Sequence, residues 1–530
     1  MKERSSFASY LSLNEVKGWL IMKKQSFITG AAILMAANAV SKILGAVLKI
    51  PLAYILKEEG MAVYNIAFEV YIMFLSFIIS GLPFAVSKLS AEAASRGEFY
   101  RERKIVTVST LLLIIIGAFG SGMLYFAAPF FAAAMKETKA VFAIRMISPS
   151  VFFVALGMGY RSYFQGVSRM IPVAVSQVSE SFIKLAAGYG FAVLFMNMGA
   201  ERTAGGAVLG VTAGEIMQAS ILAFAYIFSK KEIYIKSKND SARKILRELL
   251  SLALPLLCAS VVSNALGIAD TTLTRTRLID TGMGADNARF LYGAYTGYAL
   301  TVFHLPVGIL ATLGVSILPL IAGAYANGNT KKAQTAADIG LRISVILAMP
   351  CAVMMFAMNK EILSVLFHNT NSALMLKIVA PCAVMMCVSQ MSGAILQSAG
   401  KIMTPFYNSL AGMAVKLALG YVLIGNPDIN IYGSALSAIA AYSVIMVLNI
   451  VSIRKQLGVK IKISAALIKP LICVVAMYGT IYIITPYTAR FGSLVSLAVN
   501  AIASVGVYVL MLLLTKAVTV KEIKSIKARS

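Results

Sequence analysis

Apolar runs of about 20 residues or more recur from one end of the chain to the other, and each is long enough at 1.5 Å per residue to cross roughly 30 Å of hydrocarbon. Such a chain has few ways to fold. In lipid every backbone N–H and C=O must be paired internally, so spanning segments are helices or the strands of a closed barrel, and a barrel would need short alternating strands rather than long continuous runs. The chain therefore reads as an all-α polytopic membrane protein with about fourteen transmembrane helices. They cover roughly residues 27–55, 62–90, 105–130, 142–165, 172–197, 204–229, 246–273, 289–320, 337–358, 374–398, 404–424, 431–453, 464–486 and 491–516. Composition agrees, with 59% of the 530 residues hydrophobic and only 13% charged, far from the balance of a soluble domain.

Lysine and arginine number 48 against 22 aspartate and glutamate, a formal net charge of +26. On a soluble protein that excess would point to nucleic acid. Here its placement reads as topology: with the N-terminus inside, inner segments hold about 26 basic residues and outer segments about 8. Both termini are expected on the cytoplasmic side of the membrane, with no nucleic-acid partner, and the remaining excess suits attraction to anionic membrane lipids. Residues 1–22 are polar, lack the apolar core of a secretory signal and read as a dispensable N-terminal extension. The five cysteines, Cys258, Cys351, Cys382, Cys387 and Cys473, all fall in apolar spans and read as reduced packing residues. His304 and His368 complete no metal-ligand set with them, so neither metal nor cofactor is expected.

The chain repeats itself. Gln165-Gly-Val-Ser-Arg-Met-Ile-Pro172, followed by Lys184-Leu-Ala-Ala-Gly-Tyr189, returns as Gln397-Ser-Ala-Gly-Lys-Ile-Met-Thr-Pro405, followed by Lys416-Leu-Ala-Leu-Gly-Tyr421, about 232 positions later. Val86-Ser87 with Gly97 matches Val315-Ser316 with Gly328, and Gly206-Ala-Val-Leu matches Gly433-Ser-Ala-Leu. A repeat of about six helices keeps both copies in one membrane orientation, which gives two pseudo-symmetric six-helix bundles related by an axis along the membrane normal. The expected division is a bundle over 23–229, a basic cytoplasmic linker over 230–247, a second bundle over 248–462, two additional helices over 463–516 and a basic cytoplasmic tail over 517–530. A protein of this plan carries its functional cavity between the halves, near the midplane.

Asn38, Lys42, Gly45 and Lys49 stand at i, i+4, i+7 and i+11 and share one face of the first helix. A single lysine could snorkel to an interface. Two on one stripe cost about 3 kcal/mol each if they face lipid at the helix centre, so the stripe is expected to face protein or water. Gly45 leaves room for a neighbouring helix or a bulky headgroup, and Pro51 ends or bends the helix just beyond. Glu69 is the nearest candidate partner for the two lysines by topology, and Asn38, Lys42, Gly45, Lys49 and Glu69 together are the candidate substrate-binding residues. Glu180 and Lys184 are i,i+4 partners that can neutralise each other, and Asp270 stands near Arg275 and Arg277, where an ion pair would be structural. Ammonium groups lining a cavity suit an anionic substrate, above all a phosphate, which a lysine holds as a point charge.

No phosphate-binding loop, zinc-protease motif or paired-cysteine motif occurs. With no large segment outside the membrane, transport driven by a proton or sodium gradient or by the membrane potential is expected rather than ATP hydrolysis or enzyme chemistry. At the level of motifs, Ser41-Lys-Ile-Leu-Gly45 with Lys49-Ile-Pro51, Glu59-Gly-Met-Ala-Val-Tyr64, Gly81-Leu-Pro83, Tyr163-Phe-Gln-Gly166 and Leu305-Pro306 resemble the stage V sporulation protein B branch of polysaccharide-export flippases. That branch groups with MurJ-type lipid II flippases in the multidrug/oligosaccharidyl-lipid/polysaccharide exporter superfamily. The resemblance implies a flippase that moves an undecaprenyl-pyrophosphate-linked glycan, such as lipid II, from the inner to the outer leaflet by alternating access. It makes Lys42 and Lys49 the counterparts of the arginines that MurJ proteins carry in helix one, the second displaced by one residue. Ahead of Leu305-Pro306, where MurJ proteins have a further arginine, this chain has Thr301 and His304. The resemblance also implies a bacterial cell membrane and, at Asp270, the helix-seven aspartate of the sodium site that some MurJ proteins use; Lys416 departs from that pattern, standing where helix eleven would add ligands, and is expected to take the cation's electrostatic role and make the protein independent of sodium. Asp270 and Lys416 are thus the ion-coupling candidates. Two other readings stand beside the flippase: an ion-coupled multidrug exporter of the same superfamily, and a non-transporting scaffold for envelope synthesis.

Overall fold

The computed structural model describes residues 27–79, 81–228, 241–308, 329–401, 403–459 and 467–515, together with 310, 321, 324 and 325. The N-terminal extension, most of the basic linker, the C-terminal tail and the side chain of Cys258 lie outside the described residues. Everything regular within them is helical. Among the described residues ten helices are long and apolar enough to cross a membrane, or eleven with the bent pair Ala373–Val379 and Cys382–Ser398 taken as one span. Fourteen spans are compatible with that number, because part of the eighth falls outside the described residues and the seventh is charged at both ends.

In chain order the helices are α1 (Phe27–Ile79), α2 (Leu82–Ser95), α3 (Phe99–Ala134), α4 (Ala140–Gly166), α5 (Met170–Phe195), α6 (Ala200–Ile227), α7 (Ala242–Leu278) and α8 (Ala285–Gly293). After α8 the chain runs through a wide π-type turn at Ala294–Ala299 and stays helical to 308. There follow α9 (Thr330–Ala357), α10 (Asn359–Phe367), α11 (Ala373–Val379), α12 (Cys382–Ser398), α13 (Met403–Ile424), α14 (Tyr432–Leu457), α15 (Lys469–Thr488) and α16 (Ser493–Leu514). The chain divides into two compact units. Unit 1 takes the described residues up to Leu48 and Val63–Ile268, and unit 2 takes Lys49–Ala62 and everything from Ala269 onward. Both α1 and α7 therefore contribute to each unit.

Two breaks depart from the expected spans. The helix containing Lys42 and Lys49 does not end at Pro51 but runs through it to Lys57, where φ 53° and ψ −167° turn the chain. Proline removes one N–H and crowds one carbonyl, which a spanning helix can absorb, whereas a positive φ on lysine stops the helix outright. The next span is interrupted at Gly81, with φ 77°, and resumes with Pro83 in the first turn of α2. Glycine is required there twice over: the conformation is left-handed, and a Cβ would collide with the carbonyl oxygen of Ala253 on α7.

The internal repeat is visible in the packing. Gly206 brings α6 against α5, where a Cβ would sit 2.6 Å from the carbonyl oxygen of Phe191, and Gly433 brings α14 against α13, where it would sit 2.7 Å from the amide nitrogen of Ile424. Lipid offers no hydrophobic drive between helices, so close backbone approach at small residues supplies the contact. The final hairpin belongs to unit 2. The Tyr508 hydroxyl donates to the Ile346 carbonyl oxygen at 2.7 Å and joins α16 to α9. Within the hairpin, the Asn500 amide donates to Thr488 Oγ1 at 3.0 Å and to the Ser496 carbonyl oxygen at 2.9 Å.

Candidate functional site

In unit 1 the first half of α1 is fixed by its polar residues. Gln177 Nε2 on α5 donates to Asn38 Oδ1 at 2.5 Å, Ser41 Oγ donates to the Gln177 carbonyl oxygen at 3.2 Å, and Arg161 on α4 donates to Gln177 Oε1 at 3.0 Å. Asn38 is thus engaged within the protein and positions the helix. One turn on, Lys42 is exposed and has no hydrogen-bond or ion-pair partner among the described residues. Gly45 is exposed as well, and among the described residues no neighbouring atom stands within 4 Å of where a Cβ would be, so none of their helices uses the gap it leaves. Lys49 is partly buried and falls in unit 2; Glu69, partly buried on the second arm of α1, falls in unit 1 with Lys42.

The other lysines of the membrane interior are in a different condition. Lys184 on α5 holds two carboxylates: its ammonium donates to Glu180, one turn earlier, and to Glu215 Oε1 on α6 at 2.7 Å. Gln218 donates to the second oxygen of Glu180, and the Tyr71 hydroxyl lies 3.5 Å from Glu215 Oε1. The i,i+4 pair expected from sequence is therefore part of a larger cluster that joins α1, α5 and α6. Sequence reasoning passed over Arg161, Gln177, Gln218 and Tyr71, although Arg161 carries the signal of any charge inside an apolar span.

In unit 2, Lys416 Nζ on α13 donates to Asp270 Oδ2 on α7 at 2.5 Å. The structure brings together the two residues singled out in helices seven and eleven. It also corrects the structural pairing considered for Asp270: its partner is Lys416, while Arg277 pairs with Asp280 at 3.5 Å and lies 4.1 Å over the Tyr421 ring, and fully buried Arg275 lies 5.7 Å over the ring of Tyr292. Of the residues ahead of Leu305-Pro306, Thr301 is buried with a hydroxyl that has no hydrogen-bond partner among the described residues, and His304 is exposed, its ring 5.0 Å from that of Phe303.

Unit 2 also carries an apolar groove of about 610 Å³ between α9, α12, α14 and α15. Val353, Val388, Met446 and Val474 are among its walls, and among the described residues Arg454, at the end of α14, is the one charged residue that lines it.

The arrangement offers sites for charge and for hydrocarbon, and comparison with known proteins gives its family. The "Polysaccharide biosynthesis protein" family model matches residues 27–324, and the MatE model matches 294–422. Stage V sporulation protein B of Bacillus subtilis (strain 168) is 27% identical over 513 residues, 95% of this chain and 98% of that protein. The lipid II flippase MurJ of the same organism is 24% identical over 460 residues, 82% of this chain and 84% of that protein. Among solved structures, an inward-facing multidrug resistance MATE family transporter of the MOP superfamily superposes with a TM-score of 0.63 at 14% identity, covering 81% of this chain and 98% of the other. A MOP superfamily transporter from Pyrococcus furiosus Vc1 (DSM3638) gives 0.61 at 14% identity, covering 83% and 98%. The chain belongs to the polysaccharide biosynthesis protein family and is a multi-pass membrane protein with the fold of MOP superfamily transporters.

Proposed function

We propose that this protein is a flippase for an undecaprenyl-pyrophosphate-linked glycan, most closely a lipid II-like peptidoglycan precursor, carried from the inner to the outer leaflet by alternating access. One contrast carries the reading. Lys184 and Lys416 are each neutralised by carboxylates, while Lys42 stands exposed beside open space at Gly45. An ammonium left without an anion at membrane depth is costly unless water or an anionic ligand meets it, and a pyrophosphate is such a ligand. In this reading Lys42 and Lys49 hold the pyrophosphate, Gly45 admits it to the helix backbone, and Asn38 fixes the helix through Gln177. The groove of unit 2 has the apolar lining that a polyprenyl chain requires.

The similarity to Stage V sporulation protein B and to a lipid II flippase supports the substrate class. The test is rescue of a bacterial strain depleted of its own lipid II flippase by wild type, Lys42→Ala, Lys49→Ala and the double variant at equal membrane abundance. Rescue by wild type and loss in the double variant is expected. A well-expressed wild type that fails to rescue redirects the assignment to another lipid-linked glycan, to drugs or to a scaffold role; rescue by all four removes the lysines from the mechanism.

A further inference from the structure

Lys184 and Lys416 occupy the same place in the two copies of the repeat, in Lys184-Leu-Ala-Ala-Gly-Tyr189 and Lys416-Leu-Ala-Leu-Gly-Tyr421. Their anions do not. Lys184 takes Glu180 from its own helix and Glu215 from α6, while Lys416 takes Asp270 from α7. What the repeat preserves is the cation, and each unit surrounds it with acids from different places in the chain. The surroundings are also alike in kind. Gln218 and Tyr71 complete the polar shell of unit 1, and in unit 2 Tyr295 and Tyr442 lie within electrostatic range of Lys416.

An oxygen-lined pocket with net negative charge is what a small monovalent cation needs in a helix bundle. A lysine ammonium is a compact point charge with three donors on a flexible stem, and here it already fills that position in both units. We propose that Lys184 and Lys416 are resident cations: each unit carries its charge-balancing cation covalently, and the protein binds no exchangeable sodium ion at Glu180, Glu215 or Asp270. The inference rests on the transporter reading and deepens it, since a cycle whose charge-balancing cations never leave the protein draws nothing from a sodium gradient. Removing the ammonium from either pocket leaves a vacant site for a small cation, which wild type lacks.

The experiment is thermal unfolding of the purified full-length protein in detergent, in sodium chloride, choline chloride and methylammonium chloride at equal ionic strength. Wild type is expected to unfold at the same temperature in all three, within about 1 °C. Lys416→Ala and Lys184→Ala are expected to unfold earlier and to recover part of the loss in methylammonium or sodium. The recovery disappears when Asp270→Asn or Glu215→Gln is added. Lys416→Gln and Lys184→Gln, which keep the stem and remove the charge, serve in case the alanine variants do not fold, and radioactive sodium binding to wild type is measured in parallel. Sodium binding or stabilisation of wild type that is lost in Asp270→Asn or Glu215→Gln overturns the proposal, as do lysine variants indifferent to all three cations. Because the readout is cation binding, failure to rescue a flippase-depleted strain would sink the glycan assignment and leave this result standing.

Discussion

Gln177 donates a 2.5 Å hydrogen bond to the side-chain oxygen of Asn38, and that bond joins the lysine-bearing helix α1 to α5. Interhelical hydrogen bonds in membrane proteins contribute about 0.6 kcal/mol on average and up to about 1.7 kcal/mol. A double-mutant cycle on Asn38→Ala and Gln177→Ala, followed by unfolding in mixed micelles, is expected to give a coupling in the upper part of that range, because Gln177 also receives Arg161. Additive single effects would show that the bond does not couple the two helices.

Gly81 should tolerate no side chain. Alanine there would have to take a left-handed conformation and push its Cβ into the Ala253 carbonyl oxygen. Gly81→Ala is expected to cost about 2 kcal/mol or more and to lower detergent-extracted yield, whereas Gly97→Ala, at a positive φ with open space around it, costs only the backbone strain. Melting temperatures of the two variants side by side check this.

At Lys42 stability and transport should separate. The side chain is exposed and bonds nothing among the described residues, so Lys42→Ala changes unfolding free energy by under about 0.5 kcal/mol. In the rescue assay Lys42→Arg retains activity and Lys42→Glu abolishes it, since an added carboxylate repels a pyrophosphate. Equal activity of the arginine and glutamate forms would exclude an electrostatic role.

Val447 lines the groove of unit 2 and is 52% exposed. Tryptophan at this position enters the groove rather than the packed core, so Val447→Trp is expected to leave the melting temperature within about 2 °C while reducing transport several-fold. Unchanged transport would remove the groove from the path of the lipid chain.

Much of this was legible in the sequence, for definable reasons. The long apolar runs dictate helices because lipid leaves the backbone no other partner. Gly206 and Gly433, seen as a repeated motif, mark the same close approach in each unit. Lys57 was not legible as a helix end: its positive φ is imposed by the turn into the second arm of α1, while Pro51 carries the usual breaker signal and sits inside an unbroken helix. That Asp270 reaches Lys416, 146 positions away, in preference to arginines five and seven residues along, was legible through the family resemblance and not through spacing. Side-chain partners across helices depend on helix rotation and depth, and neither periodicity nor spacing encodes them.

The closing hairpin has a consequence for how the protein is made. Asn500 finds its amide partners in Thr488 and Ser496, and Thr488 and Ser496 also bond one another at 3.1 Å, so the polar groups at the turn of α15 and α16 are satisfied without the rest of unit 2. The hairpin can leave the translocon as a self-sufficient pair while the preceding helices are already in the bilayer. Tyr508, Ser504 and Ser493 then join it to Ile346, Met354 and Ser364, so its attachment to the rest of unit 2 is shared among several hydroxyls along α16.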